Sequence, residues 1–181
     1  MLDEYEFYQG VVLRQLAVET DYSVSFRPFV REGRINAFVV NGKVGVYIKH
    51  STKRMSPWRF TFTIEQAADL LDLEHKFPDS FVVFICGSDG LVTLSFADLH
   101  TIVSFQESEN TWVSVSRPPR TQYEVAGNRG ELGYKVARGI SSIPETLKAR
   151  VRERYETGDP SRATPNYSQS ANLTNHGANG E

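Results

Sequence analysis

The chain has 181 residues, 40% hydrophobic and 12% aromatic, enough for one domain with a core of its own. No run approaches the roughly 20 apolar residues of a membrane span, and the acidic start MLDEYEFYQG has no basic-then-apolar leader pattern, so a cytoplasmic protein with no membrane partner is expected. Cys86, the single cysteine, excludes an intramolecular disulfide and argues against a Cys-based zinc site.

Glu4 to Glu19 reads as a helix: Phe7, Val11 or Val12, and Leu16 recur at helical spacing, and Glu4 and Glu6 suit the dipole of its first turn. Tyr22 to Val30 alternates as a strand, and Pro28, with no N–H to donate, argues for a sheet edge or the end of the strand. After the polar turn Arg31–Arg34, Ile35 to Val40 and Val44 to His50 form a hairpin about Asn41-Gly42, two residues that tolerate positive φ. Ser51 to Trp58 is a loop, and Arg59 to Phe62 a short aromatic strand. Thr63 then caps a helix with Gln66 completing the capping box, and Ile64, Ala67, Ala68, Leu71 and His75 form its apolar stripe before Pro78.

Ser80 to Gly87 is nearly continuous in β-formers, the pattern of a strand buried on both faces. Its partner strand runs from Leu91 to Phe96 after the turn Ser88–Gly90, and a short helix spans Ala97 to Ser104. Thr111 to Ser116 and Gln122 to Ala126 are further strands, and Ile143 to Tyr155 is a helix with Pro144 in its first turn. From Thr157 onward Gly, Pro, Ser, Asn and Thr dominate, so residues 157–181 are expected to be a disordered tail on an α+β domain, residues 1–156, built on a central mixed β-sheet flanked by helices.

The net charge of −2 hides a segregation. Between Tyr22 and Phe62 lie Arg27, Arg31, Arg34, Lys43, Lys49, Lys53, Arg54 and Arg59 against the single acid Glu32, whereas Thr63 to Asn110 holds nine acids and one base. A basic patch of this kind favours an anionic partner, either nucleic acid or an acidic protein surface. The loop HSTKRMSPWRF sets Lys53, Arg54 and Arg59 beside hydroxyls, a pattern suited to phosphate oxygens. Trp58 either stacks on bases or anchors the loop in the core. Arg117-Pro-Pro-Arg120 is a second, stiffened basic stretch that would extend the patch. The four histidines show no paired-ligand spacing, Cys86 reads as a core residue, and no phosphate loop, dinucleotide fingerprint or GxSxG is present.

The element order helix, three strands, helix, strand, together with the stretch INAFVVNGKVGVYIKHS, resembles the PD-(D/E)XK nuclease-like superfamily. The resemblance spans about Glu4 to Ile102 and implies a restriction-endonuclease-like core. It implies a Mg²⁺ site built from strand carboxylates and a motif lysine that orients water and steadies charge at the phosphate. Lys49 stands at the lysine position and is the one candidate catalytic residue. Asn36 falls where the metal-binding Asp belongs and Tyr47 where the second acid belongs; Glu4 or Glu6 would stand for the helix acid. Asn and Tyr are poor ligands for a hard cation, so the expected function is nucleic-acid binding by a domain that has lost its cleavage chemistry. The superfamily's defence, mobile-element and repair settings come with the resemblance. Lys49, Lys53, Arg54, Trp58, Arg59, Arg117 and Arg120 are the candidate nucleic-acid contacts, Glu6 and Asn36 the candidate metal ligands. The alternatives are a regulatory or assembly module that docks on an acidic protein, and an active nuclease using Glu4 or Glu6, Asp21 and Lys49.

Overall fold

A computed structural model describes residues 4–105 and 111–156, with side chains through Arg152. The tail expected beyond Thr157 lies outside the described residues. Helix α1 (Glu4–Glu19) is followed by β1 (Phe26–Arg31), β2 (Arg34–Val40), β3 (Val44–Ser51) and β4 (Trp58–Phe62). Then come α2 (Ile64–Lys76), β5 (Phe81–Cys86), β6 (Gly90–Ser95), α3 (Phe96–Ile102), β7 (Thr111–Ser116), β8 (Glu124–Gly127) and α4 (Ser142–Glu156).

The strands divide between two sheets. A five-stranded sheet has the order β1-β2-β3-β5-β6, and a three-stranded sheet the order β4-β7-β8. The larger sheet is mixed: β3 and β5 are parallel, joined through β4 and α2, and its other pairs are antiparallel. The α+β class and the flanking helices agree with the sequence reading; the separate second sheet does not follow from it. Pro28 lies on edge strand β1, where its missing N–H interrupts no ladder. Strand β1 begins at Phe26 rather than Tyr22, although Tyr22, Val24 and Phe26 do share a face and pack on the core. Both β1–β2 and β2–β3 turn through two residues at positive φ, Glu32-Gly33 and Asn41-Gly42, the backbone that matches strand twist.

Apolar residues fill both sides of the large sheet. Val46, Ile48, Val83 and Ile85 pack against Val12 and Leu16 of α1 and Ile143 and Leu147 of α4. Tyr47, Val82, Phe84, Val92 and Leu94 pack against Leu70 and Leu73 of α2, Leu99 of α3, and the inward rows of the small sheet. Those rows come from strict alternation: Trp58, Phe60 and Phe62 on β4, and Val113 and Val115 on β7. Strand β5, buried at every position, is the doubly covered strand its composition implies.

The capping box of α2 forms as expected, but its apolar stripe does not. Ile64 is 65% and Leu71 39% exposed, whereas Asp69, Leu70 and Leu73 are buried. The helix is rotated from the expected stripe, and that rotation turns a carboxylate inward.

Candidate functional site

Strands β2 and β3 pair only as far as Ala37 and Tyr47. Beyond that point they part, and α1 takes up their backbone groups. The Tyr5 hydroxyl donates to the Ile48 carbonyl at 2.9 Å, and Gln9 Nε2 donates to the Ile35 carbonyl at 2.6 Å. The opening so formed is the site on which the polar residues of five elements converge.

A β-bulge selects which side chains enter it. Phe29 pairs with Ala37 but Val30 pairs with Ile35, so Asn36 is the extra residue on β2. An extra residue reverses the alternation beyond it. The bulge thus turns Asn36, Arg34 and its cross-strand neighbour Arg31 towards α2, where all three meet Asp69. Arg34 binds the carboxylate with Nε on Oδ2 at 3.2 Å and Nη2 on Oδ1 at 3.1 Å. Arg31 adds a bond to Oδ1 at 3.1 Å and Asn36 Nδ2 one to Oδ2 at 3.1 Å. Asp69 is only 3% exposed. Burial alone would raise its pKa, but the bonds from Arg34, Arg31 and Asn36 outweigh it and hold the carboxyl below its usual range. Glu32, largely exposed, pairs with the outer side of Arg34.

One turn earlier on α2, Gln66 receives Lys49. Lys49 Nζ donates to Gln66 Oε1 at 2.7 Å and lies 5.2 Å from the centre of the Phe62 ring. Among the described residues no carboxylate pairs with this ammonium. Burial lowers its pKa from 10.5 to about 8. Gln66 also accepts the Thr63 N–H at 3.2 Å, so the helix cap and the lysine share one oxygen. Tyr47, between Lys49 and Asp69, is 1% exposed and its ring packs on Phe62. Its hydroxyl has no hydrogen-bond partner, and burial raises its pKa.

Lys49 and Asn36 both bond to side chains of α2, Gln66 and Asp69 respectively, but the remaining candidates disperse. Glu6 lies on the outward side of α1 beside Phe7 and Arg14. Asp21 pairs with Lys148 of α4 at 3.2 Å. Asp21 is thus paired with a residue other than Lys49. Lys53 and Arg54 are exposed in the loop after β3, with Lys53 Nζ donating to the Pro57 carbonyl at 2.8 Å. Trp58 is 2% exposed and its indole N–H donates to the Lys53 carbonyl. It anchors the loop and is not available to stack on a base. Gly87 seats that loop: its φ is +53°, and a Cβ there would stand 2.5 Å from the Lys53 carbonyl oxygen. Arg59 lies on the outer face of the small sheet, 4.3 Å from the Trp112 ring. Arg117 is bound to Asp89 at 2.6 Å, and Asp89 also accepts from Tyr123. Arg120 is exposed. The basic residues thus do not form one continuous patch.

Asp69 was absent from the expected site. Its signal was the spacing Gln66, Leu70, Leu73, Phe77, a helical face on which Asp69 sits alone as a charge.

The residues do not fit Mg²⁺. Both oxygens of Asp69 already accept two bonds each, Tyr47 offers a buried neutral hydroxyl, and Asn36 turns its amide N–H₂ to Asp69. No three acidic, histidine or cysteine side chains converge among the described residues. No helix among them is long and apolar enough to cross a membrane. Comparison of the chain with protein-family models, curated proteins and solved structures finds no match in any of the three.

Proposed function

We propose that the protein binds nucleic acid at the opening between β2 and β3, and that it holds the phosphate backbone without cleaving it. The observation that carries this reading is Lys49. A half-buried ammonium whose bonded partner is a neutral amide is electrostatically incomplete. A phosphate oxygen would supply the missing charge and return the lysine towards its ordinary proton affinity. Lys53 and Arg54 follow on the same strand end, exposed, and extend the footprint. The order α1-β1-β2-β3-β4-α2-β5, in which β4 leaves the large sheet and β3 lies parallel to β5, is the ground for carrying the resemblance to the PD-(D/E)XK nuclease-like superfamily into this reading. Cleavage of a phosphodiester by that chemistry needs carboxylates that hold a cation and generate the nucleophile. Asp69, the one acid bound to Asn36, is instead saturated by arginine.

The test is fluorescence polarisation with labelled single- and double-stranded DNA and RNA across a salt series. Affinity should fall steeply with salt, with a log–log slope of roughly 0.7 to 0.9 per phosphate contacted. The pair Lys53→Glu and Arg54→Glu should abolish binding, and Lys49→Met should weaken it. No binding to any of the four at low salt would overturn the proposal and favour an acidic protein partner. Mg²⁺-dependent cleavage lost in Lys49→Ala would overturn its second half.

A further inference from the structure

Helix α1 is apolar on two sides. Its inner side buries Val12 and Leu16. Its outer side presents Phe7, Gly10, Val11, Ala17 and Val18 beside the charges Glu6 and Arg14, with exposed Glu4 and Glu19 at the two ends of the helix. Phe7 is 66%, Val11 36% and Val18 68% exposed. Exposed Phe and Val side chains gathered along one strip of a helix mark a surface that a partner covers. The patch continues into a groove of about 410 Å³ between α1 and the β5–β6 hairpin, floored by Tyr8, Ile85 and Leu91.

Gly10 stands in the middle of this face. A Cβ there would meet nothing within 4 Å, so no contact inside the chain calls for glycine. A mid-helix glycine costs about 0.5–1 kcal/mol relative to alanine, and it removes the one side chain that would hold a crossing helix away.

The charges identify the occupant. Glu6, Gly10 and Arg14 stand at i, i+4 and i+8, one row of the helix surface. From this geometry we infer that two copies of the chain pair through α1, antiparallel, about a two-fold axis at Gly10. That axis sets Glu6 against the partner's Arg14 and Arg14 against the partner's Glu6. Gly10 of each copy then faces the partner's Gly10, and with no side chain at either position the two helices can approach closely. A parallel pairing would oppose Glu6 to Glu6 and Arg14 to Arg14. The interface is isologous, as a two-fold dimer requires. It lies on the outer side of α1, away from the residues Tyr5 and Gln9 that line the proposed binding opening, so it stands independently of that function.

The test is sedimentation velocity of the full chain from low micromolar to several hundred micromolar. The mass should move from 20.4 kDa towards twice that value with concentration. Glu6→Arg alone and Arg14→Glu alone should each raise the dissociation constant about tenfold or more, since two attractive pairs become two repulsive ones. Glu6→Arg with Arg14→Glu in one chain should restore dimerisation, and an equimolar mixture of the two single variants should form a heterodimer. Gly10→Ala should weaken the dimer while raising the melting temperature, which separates loss of the interface from loss of the fold. A monomer at every concentration overturns the inference. So does a dimer indifferent to the single reversals, or one not restored by the double reversal.

Discussion

Replacing Lys49 with methionine tests whether this side chain is as desolvated as its surroundings imply. In the folded protein its pKa is about 8, against 10.5 for an ordinary lysine. At about 1.4 kcal/mol per tenfold change in proton affinity, keeping the charge inside opposes folding by roughly 3 kcal/mol at pH 7. The folded pKa is depressed, so this penalty is complete below pH 8 and fades as pH rises, because between the two values the unfolded chain binds more protons than the folded one. At pH 9.5 it has fallen to roughly 1.4 kcal/mol, leaving about 2 kcal/mol to be recovered by the wild type and none by Lys49→Met. Urea unfolding of both proteins at pH 7 and pH 9.5 measures the difference. The variant should be the more stable at pH 7, with its advantage shrinking by about 2 kcal/mol at pH 9.5. Stabilities that move in parallel between the two pH values would refute the desolvation argument, and with it the reason for assigning phosphate to this lysine.

Asp69→Ala leaves two guanidiniums and an amide facing each other without their carboxylate. The arginines are about a third exposed, so the loss should be about 2–3 kcal/mol, at or below the low end for broken buried pairs. Because the Asp69 pKa is depressed, its contribution is present at neutral pH and is lost as pH falls through the folded value. Melting temperatures between pH 6 and pH 3 should therefore fall further for wild type than for Asp69→Asn. Tyr47→Phe removes a buried hydroxyl that bonds to nothing in the protein. It should leave stability unchanged or raise it by about 1 kcal/mol, and a loss of more than that in urea unfolding would show that the hydroxyl has a partner.

Local chemistry made much of the fold readable. Asn-Gly between alternating apolar runs specifies the β2–β3 hairpin, Thr63 and Gln66 specify the start of α2, and an unbroken run of β-formers specifies β5. Each of these is decided within a few neighbouring residues. The second sheet was not readable in this way, because β4 leaves its sequence neighbours to pair with β7, a choice made by long-range packing. The site divides along the same line. Lys49 could be placed by its position in the hairpin. Asp69 could not, because its inward orientation depends on the rotation of α2, and the orientation of Arg31, Arg34 and Asn36 depends on a single-residue bulge. Trp58 had two readings, and the structure takes the second: an aromatic beside Lys and Arg resembles a stacking platform, while strict alternation with Phe60 and Phe62 points it to the core.

Strand β4 has a consequence for the order in which the chain is made. It is synthesised before α2, β5 and β6, yet the partner that covers its edge, with Phe62 opposite Thr111, emerges only after α3. Until then Trp58, Phe60 and Phe62 have no second sheet holding them, and the backbone of β4 is an open template for any other extended chain. The opposite face waits longer still, for Ile143 and Leu147 of α4. A growing chain therefore carries two apolar surfaces bare until its later elements are made. A fragment ending after α3 should gather into aggregates and not fold as a smaller domain, and chaperone dependence in the cell should centre on this interval.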